Sequence, residues 1–449
     1  MLPHVIFRFA VTRAAALALC AVLASTVGVN AQGVLFRGMG AINESMGGAG
    51  IAAPLDSAGA IYTNPATLSG VPENEVAFGL GALMPESSTA SFYRYNPQTG
   101  GALPPGYAYG KTKSKQDTYY CPSFAVARHT GDWTFGCAVG AIGGASANYA
   151  APDDGTNPIL GTYGKSSKVK VIELMPSAAY KYRDWISVGA TAVVGCFSLK
   201  VDPMPFGRYP AATSPYPPDG GPLYRSVTDY TFGGGANIGV LFDLDKRFGI
   251  GVKTGFVVKS PVWAEPFQFN GATSADLATG LRRDTEFKFM LPLILGWGVS
   301  WTPHKDLLFA LDLRYFDYAN THGFKPDSVL DKDGKIGGLG WDSILSVAVG
   351  VQYSVAADLK VRAGYCWSEN PIPGDVQFAN VVAPLFIQHV ASVGLTYTIA
   401  STNTDISLTW SHAFKSSQGG VATQAPGNVY HVKNTVNAET IFLSITQRF

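Results

Sequence analysis

Few residues of this 449-residue chain are placed for chemistry. The seven histidines include His129, His304, His322, His389, His412 and His431, and they show no metal-ligand spacing. No Gly-x-Ser-x-Gly elbow or phosphate-cradling loop stands out. Cys121, Cys137, Cys196 and Cys366 lie far apart, and strand periodicity puts Cys121 and Cys137 on opposite faces, so they read as unpaired small apolar residues. What remains is charge. Lys253, Lys288, Arg314 and Arg362 each alternate with apolar neighbours, and Glu286 and Asp312 share that same face. A buried cation in such a setting does one of two things. It receives a ligand carboxylate, for which Arg314 and Lys253, counted up from the short turns to mid-depth, are the candidates. Alternatively it joins Glu286, Lys288, Asp312 and Arg362 in a charge network that fills an interior. Nothing calls for a metal or other cofactor, and nothing recommends an enzyme.

The elements that position these charges are strands. Leu307, Phe309, Leu311, Leu313 and Tyr315 interleave with Leu308, Ala310, Asp312, Arg314 and Phe316, and residues 286–299 do the same. Period two is the strand signature. Fourteen candidate strands follow residue 73, among them 74–85, 284–301, 405–415 and 436–449. Most are long enough to cross a bilayer at a tilt, roughly 9–11 residues. Turns such as 129–131, 183–184 and 401–404 alternate with long polar loops such as 86–117, 319–341 and 416–435. A closed barrel has no unpaired edge in lipid, and outer-membrane barrels alternate short and long connections in this way. Ile441, Leu443, Ile445 and the terminal Phe449 share one face of the last strand. Tyr119, Trp133, Tyr182, Trp301, Tyr318, Trp341 and Tyr397 near strand ends suit interfacial girdles. The fold class is therefore all-β, a transmembrane antiparallel barrel of about fourteen strands.

Composition agrees. Lys and Arg total 33 against 32 acids, so no general attraction to nucleic acid is expected. Charged residues are 14 % of the chain, below the roughly 25 % of soluble domains, and with 51 Gly and 12 % aromatics this argues against a helical enzyme and against disorder. Residues 1–31 read as a secretory signal peptide, with Arg8 and Arg13, an apolar stretch from Ala14 to Leu23, and Val29-Asn30-Ala31 before the cut. Residues 32–73 do not alternate and are rich in Gly and Ala. Asn64-Pro65-Ala66 starts a short helical turn by capping, and Gly70 suits a left-handed stop. This segment is expected to pack in the lumen as a hatch, and residues 74–449 to form the barrel. Gly140, Gly143 and Gly144 are candidates for a kink or gap in the wall. Met204, Phe206, Tyr209 and Tyr216, in the Pro-rich loop 203–222, could build an external apolar groove.

A resemblance then becomes specific. The Gly/Ala-rich start with Asn64-Pro65-Ala66, the second strand 117–128 with its Pro122, the hairpin 232–253, and the run from Leu291-Pro292 to Trp301-Thr302-Pro303 are similar to FadL/TodX-type outer-membrane transporters. The resemblance spans essentially all of the chain after residue 31. It implies passive uptake of hydrophobic molecules, chiefly long-chain fatty acids. It also implies gating by the hatch and lateral exit through the wall at a kinked strand. The implied partners are the hydrophobic ligand, outer-membrane lipid and, during insertion, the barrel-assembly machinery; the implied site is the outer membrane of a Gram-negative-type bacterium. An aromatic-hydrocarbon channel of the same family and a general diffusion porin are the alternatives.

Overall fold

A computed structural model describes residues 32–94, 107–115, 118–149, 157, 160, 165–202, 228–271, 283–325, 338–425 and 428–449. The signal-peptide reading of 1–31 and the Pro-rich loop 203–222 lie outside these residues.

Fourteen antiparallel strands close a ring. In chain order they are β1 Glu75–Arg94, β2 Tyr119–Thr130, β3 Trp133–Tyr149, β4 Lys165–Arg183, β5 Ile186–Asp202, β6 Asp229–Asp243 and β7 Val252–Lys259, followed by β8 Ile294–His304, β9 Leu307–Phe316, β10 Ile344–Ser354, β11 Leu359–Ser368, β12 His389–Ile399, β13 Thr404–Ala425 and β14 Asn428–Arg448. Each pairs with its neighbours in sequence, and β14 returns to β1 from Glu75↔Arg448 to Arg94↔Val429. Closure is what lipid requires, because an unpaired strand edge would leave N–H and C=O groups unsatisfied. Phe78, Leu80, Ile172, Leu174, Leu443 and Ile445 face outward and are exposed. Ala77, Val171, Met175, Ser444 and Thr446, one residue out of phase, are buried in the lumen.

Strands outrun their apolar pattern. The sequence places the first strand at 74–85, yet β1 continues to Arg94 and pairs there with a strand Tyr107–Lys113. Likewise β13 and β14 extend to Ala425 and from Asn428, across residues expected as loop. Alternation marks the membrane boundary, not the end of the hydrogen-bond ladder, which continues in water.

The expected strand 284–301 is broken. Arg283–Phe287 pairs with Phe267–Gly271 as a separate hairpin, and β8 begins only at Ile294. Pro292 lacks a donor and cannot continue a ladder. The break re-aims the first half: Phe287, Phe289 and Leu291 are buried, whereas Glu286 and Lys288 are exposed. Those two are thus not lumen charges. Tyr318 and Trp341, read above as girdle residues, are instead fully buried with Phe324 under the long-loop end, ring centroids 4.6–5.2 Å apart.

Candidate functional site

Residues 34–69 lie inside the ring and are almost entirely buried. The segment forms α1 Gly40–Ser45, α2 Ser57–Thr63 and a 3-10 turn Pro65–Gly70. Irregular backbone buried in a barrel needs partners for its N–H and C=O groups. Inward side chains supply them all round the wall. Ser444 Oγ accepts from Ala41 N (3.1 Å), Thr409 Oγ1 donates to Ala41 O (2.6 Å), and Ser300 Oγ donates to Ala52 O (2.7 Å). Asp312 accepts from Gly50 N (2.9 Å) and Ile51 N (3.2 Å).

Asn64-Pro65-Ala66 has a concrete role in this packing. Asn64 Oδ1 accepts from Ala66 N (3.1 Å), which caps the turn, while its Nδ2 donates to Ile51 O (2.8 Å) and to Val240 O of β6 (3.2 Å). The approach to the wall demands glycine: a Cβ on Gly239 would stand 1.8 Å from Asn64 Oδ1. Gly70 is not left-handed as expected; the turn ends at Val71 with φ −62°, and a Cβ on Gly70 would meet Pro54 at 2.8 Å.

The candidate cations are engaged with protein groups. Arg314 donates through Nη1 to Arg37 O (2.8 Å) and through Nη2 to Gly48 O and to Asp312 Oδ2 (2.9 Å). It therefore clamps the inner segment to β9. Lys253 pairs with Asp243. It is the second residue of β7, because the helical turn Leu244–Phe248 delays that strand, so it sits at the short-turn end and not at mid-depth. Arg362 is buried and donates to Gln352 Oε1 (2.8 Å) and Thr396 Oγ1 (2.7 Å). Near it, Arg448 bridges Glu75 (3.3 Å) and Asp405 (2.7 Å), and Glu75 also accepts from Ser57 N at the start of α2. Asp56 caps α2 through Gly59 N (3.2 Å). Burial first, then the nearby Glu75 carboxylate, pushes the Asp56 carboxyl up to about 7. Among the described residues no group of three or more His, Cys, Asp or Glu could hold a metal, and the four cysteines are free thiols.

The glycine run in β3 coincides with an opening in the wall. The β2–β3 ladder runs from Thr130↔Trp133 to Ser123↔Gly140 and stops there. Pro122, next in β2, has no N–H to offer. On its other side β3 continues along β4 after a register shift between Ala141 and Gly143. Above the stop, the open edge of β3 meets the inner segment: Phe36 N donates to Ile142 O (2.9 Å) and Gly144 N to Val34 O (3.0 Å), around a bridge between Leu35 and Gly143. Gly143 permits this approach, since a Cβ there would lie 2.6 Å from Val34 O. Lys115 N→Asn148 O (2.8 Å) closes the top. On the β3 edge the window thus rises eight residues, from Gly140 to Asn148, about 26 Å along the strand.

Behind the window lies a cavity of about 650 Å³. Phe36, Leu83, Val171, Leu385, Ile387 and Phe442 line it, together with Tyr119–Pro122 and 143–146 from the two window edges. Arg37, paired with Glu44 at 2.7 Å, also lines it, as do Gln32 and Gln388. Arg37 Nε, both amide atoms of Gln32 and Gln388 Nε2 are buried without a partner. Neither Arg314 nor Lys253 reaches this cavity. Sequence reading missed Gln32, Arg37 and Gln388; only their burial beside apolar residues sets them apart.

A family model described as outer membrane protein transport protein (OMPP1/FadL/TodX) matches residues 17–449. No curated protein sequence matches. Among solved structures, a Pseudomonas aeruginosa FadL homologue superposes with a TM-score of 0.72 at 15% identity, covering 93% of this chain and 100% of that one. The P. putida toluene transporter TodX gives 0.65 at 16% identity over 92% and 99%, and the Ralstonia pickettii toluene transporter TbuX 0.59 at 16% over 92% and 99%. With closed wall, internal segment and family match together, the chain belongs to the OMPP1/FadL/TodX family of outer-membrane transport proteins.

Proposed function

We propose that this channel takes up long hydrophobic molecules with a polar head, long-chain fatty acids foremost. In this reading residues 32–73 are the hatch, and cargo leaves sideways through the window between β2 and β3. The observation that carries the reading is the cavity. Its volume of about 650 Å³ falls in the range of ligand pockets, roughly 300–1,000 Å³. Its walls are largely apolar, yet Arg37 Nε and Gln388 Nε2 are N–H donors with no acceptor. Such buried donors each cost roughly 1–3 kcal/mol unless a ligand supplies the acceptor. A carboxylate supplies it, whereas a plain aromatic hydrocarbon does not. Arg314 and Lys253, the earlier carboxylate candidates, act instead as an anchor for the hatch and a strand-end pair.

The test is binding of oleate and of toluene to the detergent-folded barrel, with Arg37→Met and Gln388→Leu variants. Oleate affinity is expected to fall roughly tenfold or more in each variant, from loss of a charge-assisted or neutral hydrogen bond. Saturable toluene binding without oleate binding makes the channel an aromatic one. Leakage of small polar solutes through the intact barrel, with neither ligand bound, makes it a porin.

A further inference from the structure

Six lysines project from the outer surface of the wall around the window. On β4, Lys168 and Lys170 continue the outward row of Ile172 and Leu174, both exposed. On β5, Lys200 continues the row of Val188 and Val194. Across the window, Lys111 and Lys113 follow the exposed Tyr109 on the strand Tyr107–Lys113, and Lys433 continues the outward row of β14. The rows fix their height. From Tyr182 to Ile172 the outward face of β4 is apolar over ten residues, about 33 Å along the strand and about 25 Å along the membrane normal once tilt is counted. That is the thickness of the outer-membrane apolar band. Lys170 is the next outward residue, so the cationic rim begins where the lipid headgroups of the external leaflet begin.

Among the described residues the cations are not neutralised by acids. Lys168 and Lys200 are direct cross-strand partners, and Lys111 and Lys433 flank Ala90 at one level. Like charges directly opposite destabilise a sheet. Among the described residues none of the six forms an ion pair. Glu86, an outward acid of the same rim, is engaged with Asn437 Nδ2 at 3.2 Å. Lys168 Nζ lies 5.3 Å from the centre of the Tyr119 ring, reaching across the window from β4 to β2. Lys168 and Lys170 also border the cavity, so the cluster and the window share one outer mouth.

We propose that these lysines dock the phosphate groups of the phosphorylated glycolipid that forms the outer leaflet of this membrane, at the mouth of the window. The height sets the source: an anion at the top of the apolar band is a lipid headgroup. Each lysine at such a surface strengthens binding of an anionic lipid roughly fivefold. The inference rests on the outer-membrane placement and not on the fatty-acid reading.

The experiment is native mass spectrometry of the detergent-folded barrel titrated with bisphosphorylated lipid A, with its enzymatically dephosphorylated form, and with inorganic phosphate as competitor. Variants are Lys111→Glu/Lys113→Glu, Lys168→Glu/Lys170→Glu and, at a short turn away from the rim, Lys305→Glu. Heat-modifiable gel mobility confirms that each barrel is closed. Expected are saturable binding of lipid A, a loss of roughly tenfold or more in each rim pair, and an unchanged Lys305→Glu protein. Equal binding of the dephosphorylated lipid, equal loss in Lys305→Glu, or full displacement by millimolar inorganic phosphate overturns the proposal. Because the dephosphorylated arm uses the native chain, a rim variant that fails to fold leaves the proposal open to refutation.

Discussion

Arg314→Met removes the guanidinium that ties the inner segment to β9. Three acceptors lose a donor: Arg37 O, Gly48 O and Asp312 Oδ2. Asp312, which is 1 % exposed, keeps only the amides of Gly50 and Ile51. Removing one partner of a buried pair costs about 3–5 kcal/mol, because the other charge stays buried and uncompensated. The wall itself is held by strand ladders on both sides of β9, so the loss falls on the segment and not on the ring. Hydrogen exchange read by mass spectrometry on the folded barrel separates the two. Peptides carrying Gly50 and Ile51 are expected to exchange roughly a hundred- to several-thousand-fold faster, with β8–β10 ladder peptides unchanged. Asp312→Leu combined with Arg314→Met should cost less than Arg314→Met alone, since no orphan charge remains. Wild-type protection of Gly50 and Ile51 in Arg314→Met would refute the clamp, as would a double variant worse than the single.

Three further outcomes are expected. Gly239→Val brings a side chain onto Asn64 Oδ1 and forces that amide from its three hydrogen bonds, so the peptide 60–70 should lose about 1–3 kcal/mol of exchange protection. Gly143→Val drives a Cβ against Val34 O and should expel Val34–Phe36 from the β3 edge, read as faster exchange at Phe36 and faster entry of an apolar dye; an unchanged rate would show that the bridge does not block the window. The Asp56 carboxyl, raised from 3.8 to about 7, binds its proton more tightly when folded than when unfolded. The stability it adds is fully present below about pH 4, is lost as pH rises to about 7, and is flat beyond, for a total of roughly 4 kcal/mol. Asp56→Asn keeps a capping oxygen and should abolish that slope in exchange at Gly59 and Ala60.

The wall was legible because lipid imposes a simple rule. Each residue pair such as Leu174 and Met175 must alternate between lipid and lumen, and that alternation is printed in the chain. It misleads at 284–301, where Pro292 breaks a strand that reads as continuous, and at strand ends, where the β1, β13 and β14 ladders outrun it and a helical turn delays β7. The interior was less legible. Parity assigns Asp312, Arg314 and Arg362 inward correctly, but it carries no information about what stands opposite. Beyond Asp312, two residues away, the partners of Arg314 are backbone carbonyls more than 260 residues away in sequence. Tyr318 and Trp341 show the same limit, since an aromatic near a strand end reads alike whether it meets lipid or folds over the lumen.

Sequence by itself therefore determined the class of the fold, the membrane-crossing strands, the non-alternating inner segment and the glycines of β3. Each follows from local chemistry: side-chain period, absent N–H groups on proline, absent Cβ atoms on glycine. Tertiary structure alone decided the window, the cavity behind it and the exposed lysine rim. These arise where segments distant in the chain meet or fail to meet, as when the β2–β3 ladder ends at Gly140 and Val34–Phe36 pairs with the open edge above it. Whether a polar atom such as Gln388 Nε2 is satisfied is likewise a property of the assembled volume, and no local pattern encodes it.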